Sequence, residues 1–213
     1  IKLLEKEIES INVKSGKNII IKAISSKNFS KKREIDLTKY KWEENPEQLA
    51  IRGDIDAVVE LIGGSDGIAK NLAYSAIKNR KHFITANKAL IAKHGYDLHK
   101  NTLDTNISIY YEAAVAGAIP IINGIKNGLV SSNILGIEAI LNGTCNYIMS
   151  DMTSNNTSFQ DSLKTAQELG FAEADPSFDI EGIDSAHKIA ILTRLAYGTP
   201  INFDDINIQG ISG

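Results

Sequence analysis

Asp56-Ala57-Val58-Val59-Glu60-Leu61-Ile62 runs directly into Gly63-Gly64-Ser65-Asp66-Gly67, and the reading of that junction decides the fold. The first seven residues have the composition of a short buried strand. Beyond the glycines, Ile68, Leu72, Ser75 or Ala76 and Ile77 recur at helical spacing, which predicts a helix over 68–79. A strand that meets a helix through glycines offers backbone N–H groups and a helix N-terminus to a phosphate, or a flat surface to a nicotinamide ring. The plainer alternative is a tight turn that needs glycine for positive φ.

The same rhythm extends in both directions. Upstream, Ile1, Leu4, Ile8 and Ile11 share one helical face, and Asn18 to Ser25 (NIIIKAIS) reads as a β-branched strand followed by the lysine-rich turn 27–33. Downstream come a strand at His82–Thr85, Asn87 as N-cap for a helix over Lys88–Lys93, and a strand at Ile107–Tyr111. Alternation at this spacing predicts an α/β fold, a Rossmann-like parallel sheet with ligands at the carboxyl ends of its strands, over residues 1–117. After Pro120 the rhythm changes. Residues 134–141 alternate like a half-exposed strand, and helical patterns follow at 145–153, 158–169 and 184–197, predicting an α+β domain over 118–213.

Composition narrows the classes. The chain has 213 residues, 43% of them hydrophobic, enough for a sizeable core. Residues 1–41 carry 11 Lys or Arg against 5 acids, but their lysines are dispersed among apolar helical positions with no interleaved aromatics, which argues against nucleic acid. Residues 142–213 carry 3 basic residues against 10 acids, an acidic region suited to a cationic group on a small molecule. Cys145 is the only cysteine, which points to a reducing, cytoplasmic setting, and no apolar run reaches membrane-spanning length.

Several clusters carry chemistry. Glu173, Asp175, Asp179, Glu181 and Asp184 lie within twelve residues, with Pro176 and Gly182 holding them on loops, and Lys188 follows Asp184 by one helical turn. Such a site suits an ammonium-bearing molecule with a proton donor beside it; the alternative is a structural ion pair. Lys88 in a first helical turn opposes the helix dipole and hints at a nearby anion, or is simply solvated. The strand ending Ser25-Ser26-Lys27-Asn28 lacks the acid that selects NAD, which favours NADP or dual use; otherwise Lys27 decorates a loop. Glu112 to Pro120 offers one carboxylate and exposed carbonyls to a hard cation, or only tight packing. Asn142-Gly143-Thr144-Cys145-Asn146-Tyr147 suits donors aimed at a carboxylate, with Cys145 either a nucleophile or a small buried thiol.

In this order, VVELIGG, TANKALIA, EAAVAGAIPII, GIEAILNGTCNYI and AQELGFAEADPSFDIEGIDSAHK resemble homoserine dehydrogenase, over about Asp56 to Tyr197. The resemblance implies NAD(P)-dependent interconversion of L-homoserine and L-aspartate 4-semialdehyde, on the route to threonine, isoleucine and methionine. By resemblance Lys188 is the catalytic proton donor and acceptor, and Glu173, Asp184, Asp179, Gly143 and Thr144 bind substrate. Gly63, Gly64, Ser65, Lys88 and Gly170 match cofactor positions, with Lys27 added from its strand end. Glu112, Val115, Gly117 and Ile119 match a structural sodium site. The family also implies a homodimer formed through the sheet that contains 134–141.

The sequence opens at what looks like the middle of a first helix, without the strand and glycine-rich loop that should precede it, and it stops where the family continues. A truncated piece with weak activity on its own is the expectation. Two other readings stay open: a non-catalytic sensor that kept the fold, and an oxidoreductase acting on another amino-acid aldehyde.

Overall fold

The computed structural model describes residues 1–28 and 30–212, so residue 29 of the lysine-rich turn and the last glycine lie outside the described residues. In chain order, α1 (Lys2–Ser15), β1 (Ala23–Ile24), β2 (Lys41–Trp42), α2 (Glu47–Ile51), β3 (Ala57–Glu60), α3 (Ile68–Lys78), β4 (His82–Thr85), α4 (Lys88–Lys100) and β5 (Ile109–Tyr110) form an α/β Rossmann-like arrangement. Strands β3, β4 and β5 are parallel neighbours in that order, with Glu60 opposite Thr85 and Phe83 opposite Ile109. A separate parallel pair joins Ala23 to Lys41 and Ile24 to Trp42.

Period-two alternation sorts the sheet faces. Val58, Phe83 and Ile109 are buried on one face, and Val59, Ile84 and Tyr110 are exposed on the other. Helix α3 covers the buried face with Ala69, Leu72, Ala73, Ala76 and Ile77, so its apolar stripe starts one residue later than expected and leaves Ile68 exposed. Asn87 caps α4 as expected, its Oδ1 accepting from the Leu90 N–H at 3.1 Å. That helix continues through Gly95 to Lys100, beyond the expected end at Lys93.

The strand expected over Asn18–Ser25 shrinks to Ala23–Ile24, which lie in register with Lys41 and Trp42 of β2. The remaining elements are α5 (Ile121–Asn123), α6 (Gly143–Asn155), α7 (Phe159–Glu168), α8 (Ser177–Ile180) and α9 (Ile183–Tyr197). Residues 134–141 form no strand. Among the described residues no segment runs beside them to complete a ladder, and Leu135 and Ile140 are 89% and 79% exposed. Ile134, Ile137 and Leu141 nevertheless rest against the core that Leu90, Ile91, Ile122, Ala190 and Ile191 share.

Helix α9 crosses into that core and packs along α4. Gly182 at φ +82° turns the chain into it, and a side chain there would press on Ile208 Cγ2 at 3.0 Å. The first turns of α4 and α9 are thereby brought side by side.

Candidate active site

Lys88 starts α4, Asp184 lies in the first turn of α9, and the two meet across 96 residues of sequence in a very short contact between Lys88 Nζ and Asp184 Oδ1. Lys188, one turn along α9, donates to Asp184 Oδ2 at 2.7 Å. Its second bond runs to the carbonyl of Leu141 at 2.6 Å. One carboxylate, 4% exposed in its side chain, therefore divides its oxygens between two ammonium groups. Burial pushes the Asp184 carboxyl up, but the hydrogen bonds from Lys188, Lys88 and Asn142 outweigh it and hold it below the ordinary aspartate range. The anion that the position of Lys88 called for is this carboxylate.

Asn142 joins the cluster from the other side. Its Oδ1 accepts from the Cys145 N–H at 2.8 Å as the N-cap of α6, and its Nδ2 donates to Asp184 Oδ2 at 2.9 Å and to Asp179 Oδ1 at 2.7 Å. Thr144 Oγ1 donates to the Phe171 carbonyl at 2.5 Å and approaches Asp179 Oδ2 at 3.4 Å. Gly143, Thr144 and Gly170 thus line one open cavity of 560 Å³ together with Asn146, Tyr147, Ser150 and Phe171.

The five acids do not ring the lysine as a set. Asp179 rides on α8, a helix where a loop was expected, because Pro176 and Ser177 start a turn that Asp175 caps through Ser177 N and Oγ. Glu181 accepts from Ser212 Oγ at 3.0 Å, away from Lys188. Glu173 is exposed after α7, with its backbone carbonyl held by Gln167 Nε2 at 3.1 Å.

At the carboxyl end of β3, Gly63 and Gly64 adopt φ +87° and +79°, and a Cβ on either would meet only open space. The turn is held from beneath. Buried Glu60 accepts from Gly63 N at 3.0 Å, from Ile62 N and from Thr85 Oγ1 at 2.6 Å, and Asn87 Nδ2 donates to the Gly64 carbonyl at 2.7 Å. Ser65 donates to Asp66 at 2.7 Å, and Asp66 binds His94 of α4 at 3.0 Å. Lys27 is exposed in its turn beyond β1. Glu112 spends both carboxylate oxygens on the first N–H groups of α5, from Ile122 at 2.8 Å and Asn123 at 3.0 Å, and the Ile119 carbonyl accepts from Ile121 N at 2.8 Å.

Residues 3–112 match the family model described as the NAD binding domain of homoserine dehydrogenase, and residues 120–213 match the model described as homoserine dehydrogenase. The chain belongs to the homoserine dehydrogenase family. It is 44% identical over 210 residues to the homoserine dehydrogenase of Neisseria gonorrhoeae, covering 99% of this chain and 48% of that protein. A crystal structure of the homoserine dehydrogenase of Thiobacillus denitrificans superposes with a TM-score of 0.87 at 41% identity, over 99% of this chain and 48% of that one. A hyperthermophilic archaeal homoserine dehydrogenase in complex with NADPH superposes at 0.68 with 26% identity, over 91% of this chain and 55% of that one. The chain spans about half the length of the curated relatives it matches.

In this chain, sequence reasoning anticipated the Asn87 cap but missed the buried Glu60–Thr85 pair and the bond from Asn87 Nδ2 to the Gly64 carbonyl. The signal was present: an acid at an inward strand position, opposite a threonine, is unusual enough to require partners. The bond from Leu141 O to Lys188 had no such signal, because a backbone carbonyl carries no residue identity.

Proposed function

We propose that the complete protein catalyses the NAD(P)-dependent interconversion of L-homoserine and L-aspartate 4-semialdehyde, an oxidoreductase reaction at a CH–OH carbon in threonine, isoleucine and methionine biosynthesis in the cytoplasm. The observation that carries this reading is the Lys88–Asp184–Lys188 cluster in a chain of this family.

The Gly63–Gly64–Ser65 turn fits a nicotinamide cofactor, because two positive-φ glycines leave its outer side open at the carboxyl end of β3. The cofactor, when bound, supplies or accepts the hydride. An NADPH complex among the structural relatives and the lack of an acid at the Lys27 strand end both favour NADP, with NAD as the second choice.

Lys188 is the proposed proton donor to the aldehyde oxygen. An ammonium has three N–H bonds, and two of them point at Asp184 Oδ2 and the Leu141 carbonyl. The third is left for the substrate. After it transfers, the neutral amine keeps both hydrogen bonds and presents its lone pair to the same place, ready to take a proton back in the reverse direction. Lys88 balances the charge of Asp184 from the cofactor side. The proposed substrate contacts are Glu173, Asp179 and Asp184 toward the ammonium group, and Gly143 and Thr144 at the start of α6 toward the carboxylate.

Glu112, Val115, Gly117 and Ile119 are the proposed holders of a structural sodium ion. One carboxylate with main-chain carbonyls is a donor set suited to a hard cation, and the Val115 and Gly117 carbonyls accept no backbone hydrogen bond among the described residues. We place the domain boundary at residues 117–118 and propose a homodimer that covers the strip at 134–141.

The test is homoserine-dependent reduction of NADP, and separately NAD, by the complete protein and its Lys188→Ala variant. The expected result is a kcat loss of about 10²- to 10⁴-fold with substrate binding retained. No turnover by the unmodified protein with either cofactor would replace the dehydrogenase with a ligand-sensing relative.

A further inference from the structure

Asp179 and Asp184 approach each other through a single side chain. Asn142 Nδ2 lies 2.7 Å from Asp179 Oδ1 and 2.9 Å from Asp184 Oδ2, and the same Asp184 oxygen receives Lys188 at 2.7 Å. The orientation of this amide is fixed by its surroundings. Its Oδ1 accepts from Cys145 N at 2.8 Å, and a flipped amide would set an oxygen against two carboxylates and an N–H against an N–H. Asn142 is buried, and its amide spends its nitrogen on the two carboxylates and its oxygen on the Cys145 N–H. The residue before it supplies the Leu141 carbonyl that receives Lys188.

We infer that Asn142 is a positioning residue for the proton-transferring lysine: its amide bridges Asp179 and Asp184, turns Asp184 Oδ2 toward Lys188, and anchors the Leu141 carbonyl through the α6 cap. The inference rests on the proposed dehydrogenase reading. It adds that an uncharged donor between the two acids lets them sit close while both lysines pair with Asp184. Without that donor, two carboxylates this close either share a proton or move apart. The groups facing this point are Asp179 on α8, Asp184 and Lys188 on α9, Lys88 on α4 and the Cys145 thiol on α6.

Asn142→Asp separates the two roles. The new carboxylate still accepts from Cys145 N and caps α6, but it has no N–H for the two acids. In the complete protein, homoserine oxidation by Asn142→Asp is expected to fall about ten- to hundredfold in kcat at pH 8, with KM for the cofactor unchanged and a melting temperature that is lowered at pH 8 and recovers together with the rate as pH falls. The loss should shrink as pH falls, because a proton shared among the carboxylates restores the missing donor. Asn142→Ala removes cap and bridge together and should show a loss that does not recover at low pH. An Asn142→Asp variant with the unmodified kcat across pH, or with a pH-independent loss matched by a lowered melting temperature, overturns the inference.

A second readout does not depend on turnover. Acetic anhydride labelling of Lys188, followed by peptide mass spectrometry at pH 8, should slow several-fold in Asn142→Asp, because the added negative charge holds the ammonium more tightly. If the unmodified protein turns over no homoserine while labelling still slows, the dehydrogenase reading fails and the bridge stands. Unchanged labelling overturns the bridge whatever the activity.

Discussion

The guanidinium of Arg194 lies flat against Gly95, so close that a Cβ at position 95 would stand 2.5 Å from its nearest nitrogen. Arg194 is 8% exposed and donates to the Ile91 carbonyl at 2.8 Å, which ties the C-terminal half of α9 to the middle of α4. These are the two helices whose first turns carry Lys88 and Asp184. Gly95→Ala should therefore push the guanidinium off its seat and destabilise the protein by about 1–3 kcal/mol. Thermal unfolding checks this, and an unchanged melting temperature would show that Arg194 swings aside without consequence.

Glu60 is the second such test. Replacing it by leucine fills the space but leaves the N–H groups of Ile62 and Gly63 and the hydroxyl of Thr85 without their acceptor. Stability should fall by about 2–3 kcal/mol, and cofactor affinity should fall about tenfold as the glycine turn loosens. The rate at saturating cofactor should change much less. Titration of the complete protein with NADPH, monitored by fluorescence, measures the affinity term directly.

His187 sits between the rings of Phe178 and Phe203, with centroids at 5.5 and 4.7 Å. Burial first, then the charges of Lys88 and Lys93, hold its imidazole below the ordinary histidine range. The folded protein thus binds fewer protons at this site than the unfolded chain. Its contribution is present above the unfolded value of about 6.5 and is lost as pH falls below it. His187→Phe should flatten part of the stability loss between about pH 6.5 and 5 in urea titrations. His99, also held low by burial, keeps the remainder.

Cys145 tests the nucleophile alternative. Burial, followed by the negative charges of Asp179 and Asp184, raises its thiol, and Sγ donates to the Asp179 carbonyl at 3.2 Å. Such a thiol is a packed neighbour rather than a nucleophile. Cys145→Ala should retain activity within about twofold, and the native thiol should resist iodoacetamide at pH 7 on the timescale on which the urea-unfolded chain is labelled.

The elements legible in the sequence were those whose partners are close in sequence. The β3–turn–α3 unit, the Asn87 cap and the Asp184–Lys188 pair all follow from local spacing. What stayed hidden depends on distant segments. Residues 134–141 have a strand pattern but no neighbour to pair with among the described residues, and a ladder is a property of two segments rather than one. The loop expected around Pro176 closes into α8 because Asp175 caps it, and only then does Asp179 face Asn142. Lys88 could be recognised as needing an anion, but its sequence does not say which of the later acids supplies it.

That distance has a consequence for how the molecule is made. During synthesis Lys88 emerges 96 residues before Asp184, an interval of about 5–20 s at ordinary elongation rates. Throughout it, the nascent chain can assemble β3, β4 and their helices, but the lysine at the head of α4 has no counter-charge. Lys88 therefore gains its carboxylate only when α9 docks, and a chain that ends before residue 184 lacks the acid that seats this lysine.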